Sequence, residues 1–488
     1  MEVGEPVPLD RLAASAPRRW GPADGTYALR AHPGPPASPL TQPWPAPASG
    51  AIMGNRRLMQ HWRYLHRALR VALLAARIYL GYKLISLRQR WLGLGEEAAE
   101  ALRRAHHTAS ARRIYELAVR LQGPTIKLAQ VIGSRPDLVP DEYVQVLSRL
   151  QDKVPPRPYA VVRQVLEREL GRPEEVFAEF DPEPIAAATW AQVHRARLHD
   201  GRQVAVKVQY PDLDGVVAVD MSTLRFLLSV LNRLERGLDF MPIVDELQEF
   251  IPLELDFRRE AENAETMASI FADWPNVVVP SVFRDYSTRR VLVLEYVEGT
   301  KVSDVAAMQR AGVDPQEVAQ LLLEVYCHQI LVHGFFNADP HPGNFLVQPG
   351  PRLVLLDFGL CRRLPPEFHR GYLRLTRAML TGESEELVQA FADLGFRTQR
   401  WDPSLLLAFR EAFLAGARPG YAYADGELVA EANARLLRLF RQNPLVSYPR
   451  EVVLIMRAVG LLSGLGRYLD SRADWIGLTL RYLPSEAA

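Results

Sequence analysis

Three oxygen-bearing side chains in the second half of the chain have the types and spacing for phosphate chemistry. Asp339 precedes Asn344 by five positions, and Asp357 follows Asn344 by thirteen. The apolar run 353–356 immediately before Asp357 predicts a short buried strand. Carboxylate and amide oxygens are ligands that Mg²⁺ prefers, so the pattern predicts a magnesium-assisted site built on two loops.

Protein kinases use this layout for phosphoryl transfer. An Asp lies beside the acceptor, an Asn five residues later binds metal, and the Asp of Asp-Phe-Gly binds Mg²⁺. Asp339 is therefore the candidate catalytic residue, and Asn344 and Asp357 are the candidate metal ligands. Each motif alone is ordinary turn chemistry, since Gly, Pro, Asn and Asp are all turn residues. Their spacing after a predicted strand favours the catalytic interpretation.

A lysine upstream has the setting of a phosphate ligand. The segment 204–208 alternates and carries Val-Ala-x-Lys, which marks the third strand of kinases. Lys207 would neutralise the α and β phosphates of a nucleotide. A helical pattern from Glu249 to Met267 places Asp256 and Glu260 on one face, and Glu260 is the predicted partner of Lys207. A solvent-facing lysine is the alternative, which the flanking valines disfavour.

Two more stretches are expected around a nucleotide. Alanines stand where kinases have a Gly-rich phosphate loop, and alanine approaches phosphates less closely because its Cβ restricts positive φ. Residues 291–297 read as the strand leading to a hinge whose backbone meets adenine. The candidate nucleotide-binding residues are Ala186, Ala187, Ala188, Thr189, Lys207, Glu260, Glu295, Tyr296 and Val297.

Two polar residues in an earlier predicted helix have the spacing of neighbours on one face. Lys127 and Gln130 are at i and i+3, so they either point at a common target or line a solvated surface. The spacing alone favours the solvated surface.

A basic and apolar stretch covers residues 56–92. Arg70, Arg77 and Lys83 interrupt every window long enough for a transmembrane helix, which disfavours a membrane span. The stretch is predicted to be an amphipathic helix, either on an anionic membrane surface or packed on its own protein with a solvated basic face. In the membrane interpretation Arg67, Arg70 and Arg77 contribute to binding.

Composition narrows the class of protein. The chain has 488 residues, 48% hydrophobic and 24% charged, which is an ordinary globular profile with room for two or three domains. A net charge of +1 argues against a nucleic-acid partner. Two cysteines exclude a disulfide framework and a cysteine-based zinc cluster, and a reducing compartment is the simplest inference.

The motifs occur together and in one order. They are Lys127-x-x-Gln130, the alanine-rich segment 186–189, Glu254-x-Asp256 followed by Glu260, and Asp339-Pro-His-Pro-Gly-Asn344. This combination resembles the UbiB/aarF-domain atypical kinases, also called the ADCK or coenzyme Q8-type family, over roughly residues 95–470.

The resemblance implies both a fold and a function. The expected fold is α+β, bilobal and protein-kinase-like, with an N-terminal helical extension over the active site and a mostly helical large lobe. The implied cofactors are ATP or ADP with Mg²⁺, and the implied activity is of the ATPase type without general protein-kinase activity. The implied role is support of ubiquinone or other isoprenoid-lipid metabolism at membranes.

Family motifs also assign roles that the residues alone do not. Lys127 and Gln130 match the family's Lys-x-Gly-Gln, and Glu254 and Asp256 match its acidic pair. In the family, the equivalent of Lys127 reaches the acidic pair and obstructs a peptide acceptor. The resemblance thus implies a catalytic-site role for Lys127.

Three positions depart from the family pattern. Ala129 replaces the Gly of Lys-x-Gly-Gln, which predicts looser packing of that helix on the nucleotide site. Thr189 replaces a Ser and keeps the hydroxyl. Asn337 stands where many members have a His that braces the catalytic loop, so the rigidity of this loop is an open question.

The chain is expected to have four sections: a disordered, dispensable Pro-rich extension at 1–52, a basic and helical extension at 53–155, a small lobe at 156–297 and a large lobe at 298–488. A linker is expected at 152–158. Residues 373–482 have a helical pattern. Gly460 and Gly464 suit close packing in the core, in the same apolar helix as Arg457.

Two functions from different classes fit these observations. The first is an active Mg²⁺-nucleotide enzyme tied to isoprenoid lipids, and the second is a nucleotide-gated scaffold for lipid-biosynthesis enzymes with little turnover. A conventional protein kinase ranks third. The expected partners are a nucleotide, an isoprenoid lipid or anionic membrane surface, and lipid-biosynthesis enzymes. The expected location is cytoplasmic with peripheral membrane association in a bacterium, or an organelle in a eukaryote.

Overall fold

The computed structural model describes residues 53–133, 139–150, 155–235, 241–381, 384–400, 403–415, 438–439, 443 and 445–484. The predicted extension at 1–52 and residues 152–154 of the predicted linker lie outside these ranges. Two compact units divide the described chain. The first unit holds the described residues up to Arg259 with Val282–Tyr296, and the second holds Glu260–Ser281 and the described residues from Val297 onward.

The helices are α1 Met53–Trp91, α2 Glu96–Leu121, α3 Pro124–Gly133, α4 Asp141–Leu147, α5 Tyr159–Glu169, α6 Pro173–Val176, α7 Leu213–Leu234, α8 Met241–Glu254, α9 Phe257–Ile270, α10 Val305–Arg310, α11 Pro315–Cys327, α12 Pro366–Thr381, α13 Ser384–Asp393, α14 Pro403–Ala415, α15 Arg450–Tyr468 and α16 Trp475–Tyr482. The strands are β1 Phe177–Ala187, β2 Ala191–Leu198, β3 Gln203–Gln209, β4 Val277–Val278, β5 Val291–Glu295, β6 Thr300–Lys301, β7 Phe335–Asn337, β8 Phe345–Gln348, β9 Arg352–Leu355, β10 Cys361–Arg363, β11 Arg397–Thr398 and β12 Leu445–Ser447.

The first unit contains an antiparallel sheet in the order β1-β2-β3-β5. Alternation along β3 buries Val204, Val206 and Val208 completely and turns Lys207 to the opposite face, where it is half-buried. The valines pack with α5, whose Val162 and Leu166 are also fully buried. The predicted third strand is therefore present, and the hydrophobic alternation fixes which face of the sheet Lys207 occupies.

The helical segment expected from Glu249 to Met267 is interrupted, so that prediction was wrong. Helix α8 ends at Glu254, and α9 begins at Phe257. Asp256 lies between them and accepts a hydrogen bond from the backbone N–H of Arg258, as residues preceding a helix commonly do. Asp256 and Glu260 therefore do not share a helix face. Asp is more favourable at a helix N-cap than in a helix interior. This preference outweighed the helical periodicity of the apolar residues in the segment.

The second unit brings the two motif loops together. Strands β8 and β9 form a hairpin in a sheet of order β4-β9-β8-β6, and β7 pairs with β10 so that Asn337 lies opposite Cys361. The segment before Asp357 is a buried strand, as predicted, with Leu353 and Val354 fully enclosed. The two pairings hold the loop after Asn337 beside the loop after Leu355.

Helix α11 leads into the first of these loops. Asp314 caps its N-terminus by accepting a hydrogen bond from the N–H of Gln316 at 2.9 Å. A π-helical turn, His328–Val332, follows, and Gly334 then takes a positive φ of 55° before β7 begins. The helical stretch that begins at Pro315 thus ends before Gly334.

Two expectations for the C-terminal region were wrong. The pair formed by β11 and β12 interrupts the helical pattern of residues 373–482. In α15, a Cβ added at Gly460 or Gly464 would meet open space within 4 Å, so these glycines do not mediate close packing among the described residues. Across the part of the chain that the structure describes, no helix combines the length and the apolar content that crossing a bilayer requires.

Candidate active site

Asn337 is the side chain that joins the two motif loops. Its Nδ2 donates to the backbone oxygen of Asp357 at 2.7 Å, and its Oδ1 accepts from the N–H of Asp339 at 2.9 Å. The Asn337 N–H in turn donates to Oε1 of buried Gln329 at 3.0 Å. One buried amide therefore fixes the backbone beside both candidate carboxylates, which answers the question that the absence of His at this position raised.

The candidate metal ligands are oriented by further hydrogen bonds. Asn344 donates from Nδ2 to the backbone oxygen of Asp339 at 3.0 Å. This bond uses the NH₂ group of the Asn344 amide, so the amide oxygen points away from Asp339 O. Asp357 accepts the N–H of Gly359 on Oδ1 at 2.9 Å. A Cβ at Gly359 would lie 3.3 Å from Asp357 Oδ1 and 3.7 Å from Glu260 Oε2. The glycine therefore lets the carboxylates of Asp357 and Glu260 border the same small space.

Helix α9 is tied to the Asp-Phe-Gly segment. Asn263 donates from Nδ2 to the backbone oxygen of Phe358 at 2.9 Å, and Phe358 is buried. Glu260, one turn earlier on α9, is 4% exposed. This anchoring explains how a buried glutamate comes to lie next to Gly359.

Arg457 contacts the candidate catalytic carboxylate directly. Its Nη2 donates to Oδ1 of Asp339 at 3.0 Å, with both side chains about one-third exposed. Arg457 projects from α15, which sequence reasoning had assigned to the core. The signal was an arginine in the middle of an otherwise apolar helix, a costly position unless the charge has a partner.

The donor set fits magnesium better than a metal held by protein alone. Among the described residues, no three His, Cys, Asp or Glu side chains are grouped to hold a metal ion. Mg²⁺ does not need such a group, because it is usually bound by one or two protein ligands with water and phosphate oxygens. Asp357 and Asn344, with Glu260 close to Asp357, match that requirement.

Lys207 lies in the first unit, on β3. Its Nζ is 5.3 Å from the centre of the Phe257 ring, a distance at which a cation and an aromatic face attract. The predicted partner Glu260 belongs to the second unit. The pairing of Lys207 with Glu260 therefore stays a prediction.

The alanine-rich segment is part strand and part turn. Ala186 and Ala187 end β1 and pair with Val193 and Gln192, and the N–H of Ala188 donates to the oxygen of Ala191 at 2.8 Å. The tight turn between β1 and β2 thus consists of Ala188, Thr189 and Trp190. Of these, Ala188 and Thr189 have small side chains, although their Cβ atoms restrict the backbone more than glycine would.

Thr189 links this turn to α3. Its Oγ1 donates to Oε1 of Gln130 at 3.4 Å, and Nε2 of Gln130 donates to the oxygen of Leu150 at 2.9 Å. Gln130 is therefore engaged with its own protein and does not line a solvated helix face. The hydroxyl kept by the Ser-to-Thr departure is the atom that makes this contact.

Lys127 makes the contact that the family resemblance implies. Its Nζ forms an ion pair with Oε1 of Glu254 at 2.7 Å, and both side chains are largely buried. The indole Nε1 of Trp190 donates to the other oxygen, Glu254 Oε2, at 2.7 Å. The second member of the acidic pair, Asp256, instead binds the Arg258 guanidinium, which lowers the pKa of Asp256.

Trp190 was missed by sequence reasoning. It follows Thr189 and joins the turn after β1 to the end of α8 through Glu254. A large aromatic directly after a run of alanines was the available signal, since a buried Trp N–H usually finds a partner.

The expected hinge begins where β5 ends. Glu295 is the last residue of β5 and pairs with Val204, and the N–H of Tyr296 donates to the oxygen of Gln203 at 3.1 Å. The Arg195 guanidinium lies 4.5 Å from the centre of the Tyr296 ring. Within this unit the Tyr296 N–H is therefore bonded to the start of β3. Val297 belongs to the second unit.

Comparison with known proteins gives consistent matches. A profile for the ABC1 atypical kinase-like domain matches residues 149–391. AarF domain-containing protein kinase 1 of Xenopus tropicalis is 35% identical over 388 residues, which cover 78% of this chain and 74% of that protein. The chain belongs to the ABC1 atypical kinase-like family.

Other relatives extend this picture. The Arabidopsis thaliana protein named ACTIVITY OF BC1 COMPLEX KINASE 8, chloroplastic, is 34% identical over 75% of this chain, which spans 52% of that protein's length. Among solved structures, one titled the complex structure of Rv3197-erythromycin from Mycobacterium tuberculosis has a TM-score of 0.55 and 27% identity, covering 80% of this chain and 98% of that one. The similarity confirms the predicted α+β kinase-like fold, and the relatives' names support a kinase-type enzyme as the coarse class.

Proposed function

We propose that the protein is an atypical kinase or ATPase that binds Mg²⁺ with ATP or ADP and supports ubiquinone or other isoprenoid-lipid metabolism at a membrane surface. The observation that carries the proposal is the Asn337 network, which fixes Asp339 and Asp357 side by side through 2.7 Å and 2.9 Å hydrogen bonds. A satisfied buried polar network rigidifies the loops that it joins, which suits loops that must hold reacting groups in fixed positions.

Asn344 and Asp357 would hold magnesium through their oxygens. The chemistry that bound Mg²⁺ would supply there is neutralisation of phosphate charge. The fit rests on the orientation of both side chains by their own hydrogen bonds and on the space beside Gly359. Lys207 would neutralise the α and β phosphates, and Glu260 would orient Lys207.

Groups other than Lys207 and Glu260 would complete the nucleotide site. Ala186 to Thr189 would cover the phosphates with small side chains, and the backbone of Glu295 to Val297 would meet adenine. These assignments combine the family motif with the observed turn between β1 and β2 and with the end of β5.

Asp339 would orient the acceptor hydroxyl or water and take up its proton. Arg457 donates to Oδ1 of this carboxylate and would hold it in one orientation. Restricting a reacting group to a productive orientation is a principal source of rate enhancement.

The Lys127–Glu254–Trp190 cluster argues against a general protein kinase. The ion pair buries Lys127 and Glu254, and Thr189–Gln130 adds a second link from α3 to the same turn. If this region obstructs a peptide acceptor, as the family resemblance implies, its displacement would require breaking a buried ion pair. A small molecule or lipid is the acceptor class we propose, with lipid-biosynthesis enzymes as partners.

The decisive test is ATP turnover with Mg²⁺, with and without anionic liposomes. We expect Asp357→Asn to lower turnover by at least about 100-fold, because it removes the charged metal ligand while keeping the shape. Asp314→Asn is the matched control: it makes the same change at a helix cap, where Asn substitutes well, and should leave turnover unaltered. Equal turnover in wild type and Asp357→Asn would exclude Mg²⁺-dependent catalysis by this site.

Thermal stabilisation by Mg²⁺-ATP separates the enzyme from a nucleotide-gated scaffold. A scaffold would show stabilisation in the wild type without turnover, whereas the proposed enzyme shows both. Lys207→Ala should weaken nucleotide binding by about 1.5–3 kcal/mol, because one charge-assisted phosphate contact is lost. Lys301→Ala, an exposed strand lysine, is the control. Equal stabilisation of Lys207→Ala and wild type would remove Lys207 from the site, and phosphorylation of generic peptides would favour a conventional kinase.

A further inference from the structure

One face of α1 exposes apolar side chains in a regular repeat. The spacing of three, four and four residues recurs every eleven positions, and all nine members are exposed. We call them the apolar stripe: Trp62, Leu65, Leu69, Leu73, Ala76, Leu80, Leu84, Leu87 and Trp91. An eleven-residue repeat corresponds to about 3.67 residues per turn, close to the period of a straight α-helix. The stripe therefore runs along the helix within an arc of about 100°.

The size of this exposed surface is unusual for a protein covered only by water. Leu73 is 61% exposed, Leu80 is 63% and Trp91 is 81%. The stripe runs from Trp62 to Trp91 on this helix and is therefore about 44 Å long. Scattered apolar residues are common on surfaces, but a contiguous row of this length indicates an interaction site.

The opposite face of α1 already packs against the first unit. Arg67 is buried and forms an ion pair with Asp220 at 2.5 Å, and the Tyr82 hydroxyl lies 3.0 Å from that of Tyr143. Ile85 is 8% exposed on the same side. The fold therefore uses one face of α1 and leaves the stripe on the other. The sequence left two alternatives for this helix, packing on its own protein or lying on a membrane. The two are compatible, because the first uses the face of Arg67 and the second uses the apolar stripe.

The charges along α1 indicate which kind of partner covers the apolar stripe. The helix Met53–Trp91 contains no Asp or Glu. Helical spacing places Arg63, Arg70, Arg77 and Arg88 along one edge of the stripe, and Lys83 and Arg90 along the other. Lys83 also pairs with Glu235 of the first unit at 2.6 Å. Basic side chains beside an apolar row match anionic headgroups above acyl chains, because their stems reach from apolar surface to charge.

We propose that the apolar stripe is the surface by which the protein lies on an anionic lipid bilayer, with α1 parallel to the membrane plane. Trp62 and Trp91 at the two ends of the stripe suit the headgroup boundary, where Trp is enriched. A second copy of this chain is disfavoured as the occupant, because two wholly basic edges would face each other. The inference deepens the proposed membrane role by naming its surface, and it assigns Arg67 to the fold instead of to lipid binding.

The test is flotation of the full-length protein with phosphatidylcholine vesicles, with and without phosphatidylglycerol. Leu73→Gln combined with Leu80→Gln changes no charge and removes two exposed side chains, so folding should be retained. We expect wild type to float with anionic vesicles and the double variant to lose at least about tenfold in partitioning. Val446→Gln, the same kind of change at a 69% exposed valine in the second unit, should float like wild type.

A charge variant tests the second half of the proposal. Arg77→Gln combined with Arg88→Gln should weaken binding to anionic vesicles, and added salt should weaken binding of the wild type. Brominated lipid should quench wild-type fluorescence more than that of Trp62→Phe combined with Trp91→Phe. Equal flotation of wild type and the leucine variant would overturn the proposal. The proposal would also be overturned if the wild type formed a dimer that does not bind vesicles and the leucine variant did not form that dimer. These readouts do not depend on nucleotide turnover. The membrane-surface proposal can therefore be overturned without affecting the proposed enzyme activity, and the activity can be excluded without affecting the membrane-surface proposal.

Discussion

Arg457 donates from Nη2 to Oδ1 of Asp339 at 3.0 Å, across 118 positions of sequence. A cation from α15 thus holds the candidate catalytic carboxylate that the loop after β7 presents. Asn337 fixes the backbone of that loop, and Arg457 fixes the side chain that the loop carries. The two contacts together define where the Asp339 carboxylate lies within the second unit.

Replacing Arg457 by Met should lower ATP turnover by about 10- to 100-fold, since a hydrogen bond between charged groups contributes about 1.5–3 kcal/mol. Nucleotide binding, measured as thermal stabilisation by Mg²⁺-ATP, should change little, because Arg457 bonds Asp339, which in the proposed mechanism orients the acceptor. Arg467→Met, an exposed arginine on the same helix, should behave as wild type. Faster turnover in Arg457→Met would mean that the arginine restrains Asp339 instead of orienting it.

Replacing Asn337 by Ala should lower both stability and turnover. The change leaves the N–H of Asp339 and the oxygen of Asp357 without their side-chain partner in a buried place, which costs about 2–4 kcal/mol for the pair. Chemical denaturation measures this loss. Gln320→Ala removes an amide that bonds Glu324 on an exposed helix surface and should cost less than about 0.5 kcal/mol. Similar losses in both variants would show that the Asn337 bonds contribute no more than surface contacts.

Sequence reasoning was most successful where chemistry and periodicity agreed. The strand before Asp357 and the strand bearing Lys207 both follow from alternation and burial. It failed where a local cap competed with a longer period, as at Asp256, and where a side chain reached across the fold, as with Arg457. No pattern in a single sequence reports which distant carboxylate an arginine will contact, because that partner is set by tertiary packing.

The ion pair between Lys127 and Glu254 should couple strongly in a double-mutant cycle. Its side chains are 15% and 8% exposed, so either single change leaves a mostly buried charge. We expect Lys127→Met and Glu254→Gln to show a coupling energy of about 1–3 kcal/mol in unfolding experiments. The exposed pair Arg163–Glu167 is the control cycle and should couple by less than about 1 kcal/mol. Equal coupling in the two cycles would contradict a special role for burial.

Trp190→Phe tests the second contact to Glu254. The ring volume is largely kept, but the 2.7 Å hydrogen bond from the indole to Oε2 is lost. A loss of about 1.5–3 kcal/mol is expected, because the acceptor is charged and largely buried. Trp62→Phe, on the exposed face of α1, should leave the unfolding free energy unaltered in the absence of lipid. An unaltered Trp190→Phe would show that Lys127 alone stabilises Glu254.

Arg67→Met should destabilise the first unit strongly. Arg67 bonds both oxygens of Asp220, at 2.5 and 2.6 Å, and the backbone oxygens of Leu121 and Gln122. Removing one partner of a buried ion pair typically costs about 3–5 kcal/mol. Arg70→Met on the same helix is the control and should cost less than about 1 kcal/mol. If Arg67→Met kept its stability but lost vesicle binding, Arg67 would belong to the lipid surface after all.

His194 should make the first unit less stable in acid. Gln192 is oriented by two bonds to the backbone of Arg157, so its Nε2 must donate to Nε2 of His194 at 2.9 Å. His194 Nδ1 then donates to the oxygen of Asp181 at 2.8 Å, which requires a neutral ring. Burial also lowers the pKa of His194.

Because the unfolded chain binds a proton at higher pH than the folded one, stability contributed by neutral His194 is present above the ordinary histidine pKa. It is lost progressively as the pH falls below about 6.5, down to the lowered folded value. Urea denaturation at about pH 7.5 and about pH 5 measures the loss. His194→Gln cannot gain this proton, so it should lose less stability than wild type over the same interval. Equal losses would assign the acid sensitivity to other groups, such as His328 and His333, whose pKa values are also lowered by burial.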